Sequence, residues 1–323
     1  MSAARVPARI ADAALEATIA GSFTAIGYQA RRRLFGWDSQ EDGDLSDRTV
    51  LITGATSGLG LATATALAAR GAAVVALGRD EQRTEAAAGQ IRATTGNHQV
   101  TTVIADLADL AAVRSAAAGL LEQLDGLDAL VNNAGALTHR HTRTTDGLEL
   151  TYQTHVVAPF LLTSLLLPLL RRREGSRVVT VSSGGMYSER LDVGALHMDE
   201  QDYDGVKAYA RAKRAQVVLN QQWAQRTEPA PVFHAMHPGW ADTPGVVHSL
   251  PTFHKTVGRF LRTPEQGADT IVWLASDERP AARSGEFWLD RTPRRTEYLP
   301  WTRSDADAAN SLWHLVSADA QID

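Results

Sequence analysis

The chain of 323 residues contains no cysteine, so it forms no disulfide and offers neither a thiolate nucleophile nor a Cys-ligated metal site. A basic excess is also missing. Its 32 Lys and Arg stand against 37 Asp and Glu, a formal net charge of -5, which leaves no cationic surplus for a polyanion such as nucleic acid. Long apolar runs are absent as well. The longest, residues 156–170, is interrupted by Pro159, Thr163, Ser164 and Pro168 and runs into Arg171, Arg172 and Arg173; it is too short to span a bilayer. Near the start, Asp12 and Glu16 break the apolar pattern that a secretory signal needs. These absences predict a cytoplasmic protein with no transmembrane segment and no nucleic-acid partner. The histidines at 139, 141, 234, 237, 248 and 254 show no metal-ligand grouping, and no metal is predicted. What remains is ordinary globular composition, 44% hydrophobic and 21% charged with 25 Gly and 12 Pro, which excludes disordered, collagenous and coiled-coil chains. The length suits one large α/β domain with a sizeable core.

After an acidic, polar link at 38–47, short apolar runs alternate with Ala-rich helical patterns, beginning at 49–52 and 59–70. That alternation predicts a parallel sheet. Further strands are expected at 73–77, 100–104, 129–132, 177–182 and 232–236. A seventh is expected at 285–289, after a helix that Pro264 starts at its first turn and that continues to about residue 275. The predicted fold is a single Rossmann-like, doubly wound parallel sheet of about seven strands with helices on both faces. Three regions result: an N-terminal helical extension over 1–46, the sheet domain over 47–290, and a polar tail over 291–323 with one helix near 305–317. In the extension, Phe23, Ile26, Ala30 and Leu34 recur near helical spacing beside Arg31, Arg32 and Arg33. This fits a helix packed on its own domain, and it also fits weak membrane-surface association.

The first strand leads directly into Thr53-Gly54-Ala55-Thr56-Ser57-Gly58-Leu59-Gly60 and then a helix. A dinucleotide pyrophosphate needs glycines and exposed backbone N–H groups at that point. Gly54 suits the tight turn, Gly58 the close approach of phosphate, and Gly60 the close packing of helix on strand. The second strand ends Gly78-Arg79-Asp80, which places an arginine, not a carboxylate, toward the adenosine ribose. Arginine there favours the 2'-phosphate of NADP over NAD. At the end of the third strand Asp106, beside Leu107, either accepts from the adenine amino group or caps the next helix.

Tyr209 and Lys213 stand four residues apart in Tyr209-Ala210-Arg211-Ala212-Lys213, hence on one helix face. Taken with the Thr-Gly-x-x-x-Gly-x-Gly turn, Asn132-Asn133-Ala134-Gly135 after the fourth strand and Val181-Ser182-Ser183 after the fifth, the pattern resembles the short-chain dehydrogenase/reductase family over roughly residues 47–290. The resemblance implies an NADP(H)-dependent oxidoreductase that moves hydride between nicotinamide and a carbonyl or alcohol. Tyr209 would be its acid/base, Ser183 would hydrogen-bond the reacting oxygen, and Lys213 would bind the nicotinamide ribose and bring the tyrosine pKa down. A positive charge about 5 Å away at an effective dielectric near 20 is worth roughly 3 kcal/mol, about two pKa units. Asn133, Ala134 and Gly135 would line the cofactor, and Pro238, Gly239, Trp240 and Thr243 resemble the turn that contacts the nicotinamide carboxamide. Residues 246–261 resemble a substrate lid.

Tyr209 follows Ser183 by 26 residues, a long spacing similar to the retinol-dehydrogenase-like branch, and the apolar loop between them points to a lipophilic substrate. Within that loop Met186, Tyr187, Leu191 and Met198 are either substrate contacts or packing residues. One position departs from the family pattern. His155 stands where an asparagine normally completes a proton relay, and it is either a substitute relay member or a core histidine satisfied by backbone groups. The same departure motivates an alternative function, a catalytically silent NADP-binding scaffold or redox sensor. The family habit of packing the Tyr-bearing helix and its neighbour, here 206–226 and 148–172, across a two-fold axis implies a homodimer or homotetramer.

Overall fold

In the computed structural model the described residues are 5–37, 43–227, 230–298, 302 and 306–322. Part of the predicted 38–47 link and Asp305 of the predicted tail helix lie outside them. Seven parallel strands, β1 (Thr49–Thr53), β2 (Ala73–Gly78), β3 (Val100–Ile104), β4 (Ala129–Asn132), β5 (Arg177–Val181), β6 (Val232–Met236) and β7 (Glu286–Leu289), form one sheet. An eighth, β8 (Thr292–Pro293), pairs antiparallel with β7, a two-residue strand too short to give a periodic signal. The order is β3-β2-β1-β4-β5-β6-β7-β8. Because the chain leaves β1 in one direction and β4 in the other, a crevice opens outside their carboxyl ends, where doubly wound sheets bind ligands.

Both sheet faces are covered, which is why the strands read as nearly continuous apolar runs. On one face α4 (Gly58–Ala69), α5 (Glu81–Thr95) and α12 (Pro264–Ser276) bury Leu67, Ile91 and Ile271 against Ile52 and Val131. On the other, α6 (Leu110–Gln123), the helix Leu150–Arg171 and α9 (Gly205–Arg226) bury Leu120, Leu166 and Leu219 against Leu51 and Leu130. Leu150–Arg171 comprises α7 (Leu150–Tyr152), a π turn (Gln153–Val157) and α8 (Ala158–Arg171). At 22 residues it is longer than the apolar run seen in the sequence and long enough to cross a membrane; 72% of its most apolar stretch is buried inside the protein.

The N-terminal extension differs from expectation, whereas the tail carries its one helix where expected. The predicted N-terminal helix is two helices, α2 (Ile19–Phe23) and α3 (Ala25–Leu34), broken at the extended Thr24 and preceded by α1 (Arg5–Glu16). Its apolar stripe does not face one way: Phe23 is buried, while Ile26 and Leu34 are exposed. Tyr28 and Arg31 point inward instead. A buried arginine carries no hydrophobic periodicity, so the pattern of apolar residues misassigned the inner face.

At the other end, α13 (Ala306–Asp319) lies on α8 and α9 and buries Leu312 and Val316 completely. Trp313 packs 4.8 Å from Phe160 and 4.7 Å from Trp223, and the Tyr152 hydroxyl donates to Asp319 at 2.8 Å. The face expected to pack against a second copy is thus covered from within the chain. Each fully buried Leu or Val contributes about 1.5–3 kcal/mol of transfer free energy, which holds this helix on α8 and α9.

Candidate active site

Gly54 and Gly58 adopt left-handed backbone, with φ +68° and +53°, a conformation glycine reaches without a Cβ penalty. A Cβ on Gly54 would lie 2.9 Å from Ala134 Cα, and one on Gly60 would lie 2.6 Å from Asn133 Nδ2 and overlap the Gly54 carbonyl. The two loops are laced together. Thr53 Oγ1 accepts from the Asn133 and Ala134 amides, both at 3.0 Å, and Asn133 Nδ2 donates to Thr53 O at 2.9 Å. Ser57 sits at the N-cap of α4 without a side-chain cap bond, so no side chain of the cap competes for the first-turn amides. That end of a 12-residue helix, lined by Thr56 and Leu59, fits a pyrophosphate.

Beyond the cradle, Arg79 is exposed just past β2. Asp80 is already engaged, accepting the Arg83 amide at 2.8 Å as the N-cap of α5. The carboxylate nearest the ribose position is therefore used as a helix cap, which leaves Arg79 as the free polar group there. The two readings of Asp106 also separate: it accepts from Ala108 N in a turn, whereas Asp109 caps α6. Leu107 is buried in the core, so only its backbone remains for a ligand.

Asp204 caps α9 by accepting from Val206 and Lys207. The helix it starts carries Tyr209 and Lys213 on the face toward β5, with Lys213 Nζ 5.3 Å from the Tyr209 ring centroid. Ser182 and Ser183 divide as their alternating directions require. Ser182 is buried and donates to Lys213 O at 2.9 Å, whereas the Ser183 hydroxyl meets that of Tyr209 and accepts from Gly185 N at 3.2 Å.

The electrostatics correct one expectation. Lys213 is buried and donates to Val181 O at 2.9 Å; burial lowers its pKa to about 7. Burial pushes the Tyr209 phenol up, opposed by the Ser183 hydroxyl, and Lys213 does not lower it. A lysine that loses its own charge on burial has little field with which to stabilise tyrosinate.

His155 lies in the π turn, fully enclosed, with Nε2 2.8 Å from Ala136 O and 3.2 Å from Ala136 N and its ring edge-on to Tyr209 at 5.2 Å. Burial, reinforced by Lys213, lowers its pKa to about 3. It therefore stays neutral through the physiological range, a form in which an imidazole still has one donor and one acceptor nitrogen. A side chain at Gly135 would overlap its imidazole. Sequence reading missed its partner Gln216. Pro159 has no N–H, so the His155 carbonyl lacks its helical i+4 donor, and Gln216 Nε2 supplies one at 2.7 Å. The signal was present as a proline four residues after His155 and a glutamine three after Lys213.

Past β6, Pro238 and Gly239 form a turn with Gly239 at φ +73°. Trp240 meets Phe23 and Phe253 edge-on at 5.8 and 5.1 Å. Thr243 caps α10 (Pro244–Ser249) and lies against Gly58. The expected lid consists of α10, α11 (Pro251–Val257) and a 3₁₀ turn (Gly258–Phe260). Of the loop candidates, Met186 and Leu191 are buried core residues, Met198 is half-buried, and Tyr187 joins an aromatic group. Among the described residues, no group of three His, Asp or Glu is placed to hold a metal.

Residues 48–251 match the sequence profile of the short chain dehydrogenases. The chain belongs to that family. It is 39% identical to human dehydrogenase/reductase SDR family member 12, over 89% of this chain and 90% of that protein. Against mouse retinol dehydrogenase 14 the identity is 34% over 94% and 95%. A crystal structure of an uncharacterized Mycobacterium paratuberculosis protein superposes with a TM-score of 0.70 at 30% identity, covering 87% of this chain and 96% of that one. A short chain dehydrogenase from Escherichia coli CFT073, solved with NADPH, gives a TM-score of 0.64 at 26% identity over 78% and 100%. This short-chain dehydrogenase is thus an oxidoreductase of alcohol and carbonyl groups.

Proposed function

We propose that the protein is an NADP(H)-dependent reductase or dehydrogenase of a lipophilic carbonyl or alcohol compound, with Tyr209 as acid/base. The single observation that carries the reading is the convergence of the Tyr209 and Ser183 hydroxyls beside the buried Lys213. Gly54, Gly58 and the first turn of α4 would hold the pyrophosphate, and Arg79 the 2'-phosphate. Similarity to a dehydrogenase solved with NADPH supports the same cofactor class. When bound, the nicotinamide supplies or accepts the hydride. Ser183 fixes the carbonyl oxygen by donating to it, and Tyr209 gives that oxygen a proton in reduction or removes one from the alcohol in oxidation. Lys213, about half protonated near pH 7 in the protein alone, would hold its proton more firmly on meeting the ribose hydroxyls and so strengthen the field at the phenol.

The test needs no substrate. An ultraviolet difference titration of wild type minus Tyr209→Phe, both saturated with NADP+, should show one tyrosine ionising well below its ordinary value of 10. Ionisation at or above 10 would overturn the acid/base assignment and favour a silent nucleotide-binding scaffold.

A further inference from the structure

We infer that the N-terminal helices build one wall of the acceptor site, with Phe23 as a specificity-determining residue that receives the planar apolar body of the carbonyl compound. The inference rests on the carbonyl chemistry proposed at Ser183 and Tyr209. Strands β5 and β6 are adjacent and parallel, so the loops 182–188 and 237–243 leave their carboxyl ends side by side, one carrying Ser183 and the other the Pro238-Gly239 turn. Phe23 fills the space between them. Its ring lies against Gly184, next to Ser183, where a Cβ would come within 2.8 Å of Phe23 Cε2. On the other side it stands 4.5 Å from the His237 ring and 5.8 Å from Trp240. A side chain at 184 would displace the Phe23 ring from the backbone next to Ser183.

The backbone of Phe23 is held as firmly as its ring. Its carbonyl accepts from Trp240 N at 2.8 Å and from Arg262 Nε at 3.1 Å. The preceding Ser22 carbonyl accepts from Arg31 at 3.0 Å and Arg262 at 2.9 Å. Both arginines are buried and share Asp290. These bonds tie the segment carrying Phe23 to the β6 turn.

The surface it completes is aromatic. Tyr298, Tyr187, Phe23, Trp240 and Phe253 follow one another at 5.0, 6.4, 5.8 and 5.1 Å, from the C-terminal segment to lid helix α11. Burial lowers the pKa of His237, which borders this run, to about 3, so it adds no charge. An uncharged row of ring faces and edges favours a flat apolar ligand over a small polar one.

Equilibrium binding of benzaldehyde, 1-naphthaldehyde and 9-anthraldehyde to the full chain saturated with NADP+, followed by calorimetry, tests this. In the wild type, affinity should rise with ring number. Phe23→Ala should weaken the three-ring aldehyde about 10-fold and benzaldehyde less than twofold, and Ile26→Ala, exposed on the next helix, should change neither. If Phe23→Ala fails to bind NADP+, Phe23→Leu carries the test, with a smaller shift in the same order. Equal affinities of all variants for 9-anthraldehyde, or no aldehyde binding by the wild type, overturns the inference. Binding that tracks Phe23 without NADPH-dependent turnover, together with an unshifted Tyr209 titration, would instead overturn the proposed chemistry and leave the wall in place.

Discussion

Arg31 is fully buried and makes five hydrogen bonds. It donates to Asp12 and Asp290 at 2.7 Å, to Glu16 at 3.1 Å, and to Ser22 through both its carbonyl at 3.0 Å and its hydroxyl at 2.9 Å. The surrounding charges balance, with Arg31, Arg262 and Arg294 against Asp12, Glu16 and Asp290. Arg31→Ala leaves three acids facing two arginines, one negative charge in excess inside the fold. Breaking a buried pair costs about 3–5 kcal/mol. Here each acid keeps an arginine, Asp290 with Arg262 and both Asp12 and Glu16 with Arg294, so the low end applies. About 3 kcal/mol corresponds to a roughly 150-fold more populated opening of the N-terminal helices. Hydrogen exchange over residues 22–34 should accelerate by that order in Arg31→Ala, whereas the exposed Arg33→Ala should stay near wild type.

Acid dependence adds a signed check to the same variant. Burial alone raises the Asp290 carboxyl, but Arg262 and Arg31 outweigh it and hold its pKa below 3.8. A depressed carboxylate contributes stability that is present above its unfolded value and lost as pH falls through the folded one. Protection of residues 22–34 should therefore fall below about pH 4 in the wild type, and the acid-dependent part of that loss should be smaller in Arg31→Ala, which lacks one of the two guanidiniums that depress the carboxyl. Unchanged exchange in the variant, with an unchanged acid limb, would refute the view that this network fastens the extension.

The low pKa of Lys213 makes a prediction of the same sign at higher pH. The unfolded chain holds the lysine proton up to about 10.5 and the folded one only to about 7, so stability should climb between these pH values, by at most about 1.4 kcal/mol per unit. Lys213→Met should flatten that limb in urea unfolding measured from pH 7 to 9, and an unaltered slope would show that the lysine is not buried in solution. For the cofactor, Arg79→Ser should weaken NADPH about 10- to 100-fold, the loss of one or two charge-assisted hydrogen bonds, and leave NADH unaffected; equal losses for both would reduce Arg79 to a helix-start charge. On the far side of the molecule, Leu312→Ala empties a completely buried position of α13 and should cost about 2–5 kcal/mol. A thermal midpoint unchanged by that substitution would mean that α13 does not hold the α8 and α9 faces.

How much of this was legible followed from how local the physical demand is. Gly54, Gly58 and Gly60 are read from sequence because a strand-to-helix turn that must admit phosphate restricts the backbone within eight residues. Tyr209 and Lys213 are legible because one helix face fixes their relation. The choice of Ser183 over Ser182 rests on the family resemblance, since alternation alone says only that the two neighbours diverge. His155 was legible as a position but not in its chemistry, since full enclosure and the nearby Lys213 set its protonation, and both arise from chain folded over it. The N-terminal extension was legible as helical yet misread in direction. Its inward face is fixed by Arg31, whose partner Asp290 lies 259 residues away, and no window of sequence contains both.

The same network joins two regions that the sequence presents as separate. Arg262 precedes α12 and reaches the Ser22 and Phe23 carbonyls, while its backbone amide donates to Trp240 O at 2.7 Å and its own carbonyl accepts from Asp242 N at 2.8 Å. Gly239 has no room for a side chain because Arg262 and the Phe23 carbonyl crowd its Cα. The position of the β6 turn, the direction of the chain into the lid and the seat of Phe23 are therefore set by one buried guanidinium. That guanidinium in turn tolerates burial only through the paired Asp290, which adopts a left-handed backbone at φ +53° just past β7. A charge placed at the end of the last long strand thus determines the shape of the turn beside Ser183, and the N-terminal helices, read at first as an appendage, are the third side of that arrangement.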